Sequence, residues 1–196
     1  MTWRGKRYTG GVVHVRAPVV LARMRWVVEH HGESAYDATL ERLTPEHASA
    51  IRAAVHPTFW VPFDAFIALS ETIDLRYGKG DLSLCRELGR YAANVNLPTL
   101  YRIFYKLGTV PYIMSKATAV WSAHYDSGSA RTIDHGAGDI SIRVENFATP
   151  HKVHCLAVLG WIEESVRISG SILTGSAEIK CRTSGDEYCE FRGKYK

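Results

Sequence analysis

Residues 176–195 read Ser-Ala-Glu-Ile-Lys-Cys-Arg-Thr-Ser-Gly-Asp-Glu-Tyr-Cys-Glu-Phe-Arg-Gly-Lys-Tyr. Two runs with strand character, about 176–183 and 187–195, flank a Ser-Gly-Asp turn, which is the pattern of a β-hairpin. With the turn centred on Gly185, Cys181 stands opposite Cys189, Ile179 opposite Phe191 and Ala177 opposite Gly193. Side chains alternate along a strand, so these six share one apolar face that packs inward. Glu178, Lys180, Arg182, Tyr188, Glu190 and Arg192 fall on the face that suits water.

Working outward, residues 150–168 form a long helix whose apolar stripe runs through Cys155, Val158, Leu159, Ile162 and Val166. Residues 130–135 and 139–147 make a first hairpin around Gly136-Ala137-Gly138, with Ile140, Ile142 and Val144 alternating. Before residue 125 the pattern is helical, apart from a short strand at 10–16. Helices are expected over 18–31, from a Ser34 cap to Leu43, from Thr44-Pro45-Glu46, and over 63–77. Further helices run from an Asp81 cap to about Asn94, from Pro98 to Gly108, and over 111–124. The fold class is therefore α+β: a helical N-terminal two-thirds packed on a small twisted antiparallel sheet, two hairpins around one long helix.

The 196 residues suit a single domain, 1–196, able to bury a core without staples. A net charge of +4 is spread over single Arg and Lys residues, with no basic stripe interleaved with aromatics. Nucleic acid is not an expected partner. No run of 18 apolar residues occurs, so no membrane span is expected, and residues 1–16 lack a signal-peptide pattern. The expected location is cytoplasmic, where disulfides are disfavoured. The four cysteines are then buried fillers, catalytic groups or metal ligands.

Cys155, Cys181 and Cys189 point into one core from two elements, an arrangement suited to a tetrahedral metal site, and sulfur softness favours zinc. Spacing offers two fourth ligands. His151 lies one helical turn before Cys155 and is the better placed; Glu178 sits on the opposite strand face unless a bulge turns it inward. A Cys181–Cys189 cross-strand disulfide and plain buried thiols remain alternatives. Cys85, on an Ala/Leu-rich helix without a partner, reads as core filler.

The segment Cys181 to Phe191, with a cysteine, a Gly-Asp turn, a second cysteine and an aromatic, resembles the terminal signature of the 4-vinyl-reductase domain family. His151 to Gly170 resembles the penultimate helix of such domains. More closely, Val20-Leu21-Ala22-Arg23, Glu29-His30-His31-Gly32, Trp60-Val61-Pro62-Phe63, Arg86-Glu87-Leu88-Gly89 and Leu159-Gly160-Trp161 resemble a myxobacterial paralogous family of unknown function. The likeness covers roughly 10–192. In related phenol-sensing regulators zinc is held by three cysteines and a glutamate at a spacing that Cys155, Glu178, Cys181 and Cys189 reproduce. The resemblance thus implies Glu178 as fourth ligand and a structural zinc. It also implies the fold shared with haem-based nitric-oxide sensors and Golgi-tethering subunits, often dimeric.

The function so implied is a non-catalytic, zinc-containing, sensor-type domain binding an apolar or aromatic small molecule between helices and sheet. Phe66, Tyr101, Phe104, Tyr105, Tyr112, Trp121 and Trp161 are candidates to line that pocket, with ordinary core packing as the alternative role. The alternatives are a protein-interaction scaffold of the tethering-subunit kind, as a homodimer, and a tetrapyrrole-related accessory protein or enzyme. No phosphate-cradling loop, G-x-S-x-G elbow or H-E-x-x-H pair supports catalysis. The histidines His30, His31, His124, His135 and His154 lie in no haem-attachment pattern, so haem is not expected.

Overall fold

The computed structural model describes residues 11–96 and 110–196. Strand β1 (His14–Arg16) runs straight into helix α1 (Ala17–His31), with Pro18 in the first turn, where its missing N–H costs nothing. Gly32, at φ 84°, ends α1 and donates to the Val28 carbonyl. Helix α2 (Ser34–Leu40) follows, then α3 (Pro45–Arg52), where the Thr44 hydroxyl accepts from the His47 N–H. Ser34 is the first helical residue and makes no capping bond, unlike the expectation, and α2 stops at Leu40.

Strand β2 (Trp60–Pro62) pairs antiparallel with β1, placing Val15 beside Val61. Helix α4 (Phe63–Tyr77) begins as expected after Pro62, and α5 (Ser83–Asn96) follows the glycine turn. The start of α5 is fixed from two sides. Asp81 accepts from the Ser83 N–H, and the buried Asp74 carboxylate takes the N–H groups of Leu82 (2.9 Å) and Leu84 (3.0 Å). The expected 98–108 helix lies outside the described residues. The 111–124 helix is two pieces, α6 (Val110–Met114) and α7 (Ala117–His124), broken at Ser115-Lys116.

The sheet has the order β3-β4-β6-β5, all antiparallel: β3 (Ser129–Gly136), β4 (Asp139–Glu145), β5 (Leu173–Lys180) and β6 (Cys189–Tyr195). Between the hairpins runs α8 (Lys152–Ile168), which packs on β5, β6 and α5. This confirms the α+β class and both hairpins around one long helix.

The hairpin register differs from the sequence reading. Ser176 faces Gly193 and Glu178 faces Phe191, while Lys180 faces Glu190, with an irregularity between Glu178 and Lys180. Up to Glu178 the pairing is thus displaced by one residue, which exchanges the two faces. Ile179 is consequently exposed at 47%, and Glu178 turns inward. Cys181 lies beyond the ladder, leading into a 3₁₀ turn at Arg182–Ser184 that closes on Gly185 at φ 97°.

The α5–α8 seam requires glycine. A Cβ at Gly89 would overlap the Ala157 carbonyl, and one at Gly160 would overlap the Arg86 carbonyl. Without those side chains the two backbones touch. The buried Glu163 carboxylate on α8 then receives Arg86 and Arg90 from α5 and the Ser176 hydroxyl from β5. Burial alone would raise its pKa; the bonds from Arg86, Ser176 and Arg90 outweigh that and hold it below the usual carboxylate value.

Candidate functional site

Two places carry chemistry: a cysteine cluster and a cavity. At the end of the sheet, Cys155 on α8 comes within 4.0 Å of Cys181 and 3.8 Å of Cys189. One donor atom from each of Cys155, Glu178, Cys181 and Cys189 lies within 4.8 Å of the others. The bulge that displaces β5 is what brings Glu178 in, so the strand-face objection to this residue falls. His151 instead is the residue just before α8 and faces Glu71 at 3.7 Å, outside the group of converging donors. No disulfide links the thiols.

The thiols of the cluster perturb one another. The contact with Cys189 pushes the Cys155 thiol up, and the same contact draws Cys189 down to about 6. The Arg182 N–H also donates to the Cys189 sulfur, and Cys181 sits 2.9 Å from the Thr183 hydroxyl. Glu178 pairs with Lys152 through Oε2 at 2.6 Å, whereas its buried Oε1 has no hydrogen-bond partner. Cys85 is buried elsewhere, its thiol pushed up to about 12 by desolvation, as befits a filler.

The cavity has a volume of about 90 Å³ and lies between α1, α5, α6, α7, β4 and α8. Its wall is chiefly apolar, with Ile113, Met114, Ile142, Val158 and the indoles of Trp121 and Trp161. Of the expected pocket residues, Trp121 and Trp161 do line it. Phe66 is fully buried beneath the Arg23 guanidinium, 4.5 Å from its ring centroid, and is not part of the wall. Tyr112 is 51% exposed with Lys116 over its ring, so it is corrected to a surface residue. Tyr101, Phe104 and Tyr105 fall outside the described residues.

Four polar residues, Arg23, Asn96, His124 and Tyr125, interrupt the apolar wall. His124 Nδ1 lies 2.7 Å from the Val120 carbonyl; a carbonyl only accepts, so this nitrogen carries the proton and Nε2 is left as an acceptor. Burial keeps His124 below its ordinary value, favouring the neutral ring. Burial also raises the Tyr125 phenol to about 12. Arg23 is 2% exposed, with Nη1 on the Val19 carbonyl at 2.7 Å and Nε unpartnered. A signal for it existed: Arg23 stands four residues after Val19, three after Val20 and four before Val27, on the apolar stripe of α1.

No family model matches the chain, and no curated protein matches it, so neither the 4-vinyl-reductase nor the myxobacterial family is confirmed. Among solved structures the chain is similar to an H-NOX protein from S. oneidensis in the Fe(II)NO ligation state. The TM-score is 0.71 at 12% identity over 92% of this chain and 99% of that one. An oxygen-binding H-NOX domain related to soluble guanylate cyclases gives 0.65 at 15% identity, covering 92% and 95%. A structure from work on heme distortion in the H-NOX family gives 0.66 at 15%, with 92% and 95% covered. At such identities the likeness is one of fold, and it meets the expectation of the architecture shared with haem-based nitric-oxide sensors.

The same neighbours correct the expected cofactor. Those neighbours are described with haem and with iron ligation states, which overturns the expectation of zinc as the domain's cofactor. Locally, the thiols are bridged to one another and to Thr183 and the Arg182 N–H by protein hydrogen bonds. Haem itself meets two suitable groups, Arg23 for a carboxylate and His124 Nε2 for iron. The space does not suit it. Sites for drug-sized ligands span roughly 300–1,000 Å³, whereas here Trp121, Trp161, Ile113 and Met114 close on about 90 Å³. As packed, these residues do not fit a tetrapyrrole.

Proposed function

We propose that the chain is a non-catalytic, sensor-type domain that binds a small apolar or aromatic molecule in the cavity between its helices and its sheet. The observation that carries this reading is the cavity itself. Close packing leaves few voids larger than a water molecule in protein interiors, yet about 90 Å³ stays open here behind two indoles. A void of roughly 150 Å³ admits benzene, so modest adjustment of Met114 or Trp161 makes room for a single ring or a short chain. The H-NOX-like fold supports the same reading, because the neighbours are named for the gases and iron states they hold. Calorimetric titration of the full chain with small aromatics tests it: saturable 1:1 binding is expected, and its loss in Val158→Trp, which fills the cavity, locates the site. Binding of none of them by the wild-type protein defeats the reading.

Cys155, Glu178, Cys181 and Cys189 are proposed as a metal-ligand set, on the convergence of their donors and the orphaned Glu178 Oε1. Elemental analysis of freshly purified, reduced protein decides: stoichiometric metal supports the set, and metal-free protein removes it. A homodimer is proposed from the sequence resemblance and is tested by light scattering. No helix among the described residues is long and apolar enough to cross a membrane.

A further inference from the structure

Arg23 is the charge that the fold does not explain. It sits on α1 at 2% exposure, lines the cavity, and faces no carboxylate among the described residues. Residues 1–10 and 97–109 contain no Asp or Glu, so neither segment supplies one. Its compensation is a backbone carbonyl, Val19 O at 2.7 Å, and the face of Phe66. Nε has no hydrogen-bond partner among the described residues. Taking an ion out of water costs several kcal/mol unless it is paired and hydrogen-bonded. Burial lowers the guanidinium only to about 10, so it stays a cation at neutral pH. Other buried charges of this chain are met: Glu163 by Arg86 and Arg90, Glu190 by Arg143.

We propose that Arg23 anchors the carboxylate of a small organic acid whose apolar body, one ring or a short aliphatic chain, occupies the cavity. The proposal rests on the cavity being a ligand site and adds the class of ligand. With Nη1 on Val19, the Nε–Nη2 edge offers the two parallel N–H groups that a carboxylate accepts bidentately. Trp121, Trp161, Ile142 and Val158 make most of the remaining wall apolar, with Asn96, His124 and Tyr125 as its other polar members, and this suits a body without further charge. The volume selects against large acids.

The test is calorimetric titration of the full chain at neutral pH with benzoate, hexanoate, toluene and benzylamine, and absorbance titration with hemin. Wild type is expected to bind benzoate or hexanoate at least tenfold more tightly than toluene, and to exclude benzylamine. Arg23→Met should lose the acids by tenfold or more while keeping toluene; thermal melting shows that the variant folds. Arg23→Lys, which keeps the charge without the fork, should retain part of the affinity, and provides the comparison if Arg23→Met fails to fold. Toluene binding as tightly as the acids, or acids binding Arg23→Met unchanged, overturns the anchor while the cavity remains a ligand site. If nothing binds wild type, both readings fall. Stoichiometric hemin binding with a sharp Soret band that excess benzoate cannot displace also overturns the proposal.

Discussion

The α5–α8 seam and the cavity are neighbouring regions of one interior, and they treat charge in opposite ways. At the seam, Gly89 and Gly160 let two helix backbones touch, and the buried Glu163 is surrounded by Arg86, Arg90 and Ser176. Elsewhere around the same cavity, Arg23 is also buried and left with a carbonyl, a ring and an unsatisfied Nε. A charge that serves the fold comes with partners on the neighbouring elements. A charge without them marks a place where folding stability has been given up for something else.

The contrast can be broken at its ends. Gly160→Ala should have the largest effect, about 5 kcal/mol of stability, because the new Cβ meets the Arg86 backbone and not a movable side chain; denaturant unfolding measures it. Glu163→Ala should cost about 3–4 kcal/mol, since it leaves Arg86 and Arg90, neighbours on α5, without the carboxylate they share. Arg23→Met should go the other way, stabilising the unliganded protein by about 1–2 kcal/mol; a loss of similar size would mean that Arg23 belongs to the fold after all. The smallest effect is on pH dependence. The folded Glu163 carboxyl lies below its unfolded value, so its contribution is complete above about pH 4.3 and is lost as pH falls through the folded value. Melting temperatures of wild type and Glu163→Gln should therefore converge on acidification.

Much of this was legible in the sequence because it is periodic or punctuated. Pro18, Thr44-Pro45 and Pro62 mark helix starts that the structure repeats, and Ile140, Ile142 and Val144 announce the first hairpin. What escaped depends on partners distant in the chain. Asp74 setting the start of α5, eight and ten residues on, has no local signal. The β5 register was misread because alternation alone fits either face, and a bulge leaves no pattern of its own. The site was half visible. The cysteines announced themselves by spacing, and Trp121 and Trp161 by their bulk, but Arg23 passed as one more surface arginine because burial is a property of the assembled interior. Tyr112 erred in the reverse direction, an aromatic at helical spacing on a helix too short to cover it.

The irregularity between Glu178 and Lys180 divides β5 into two stretches that obey separate alternations. From Gly175 to Glu178 the residues pair with β6 in one register, a second shift setting Leu173 apart; Lys180 pairs with Glu190 in another, beside the turn that carries Cys181. Substitutions at the base of the hairpin and at its tip can therefore accumulate independently, so long as the number of residues between them is kept. Loss of a single residue in this strand would do what few point substitutions could, carrying Glu178 to the solvent side and detaching it from all three thiols in one step.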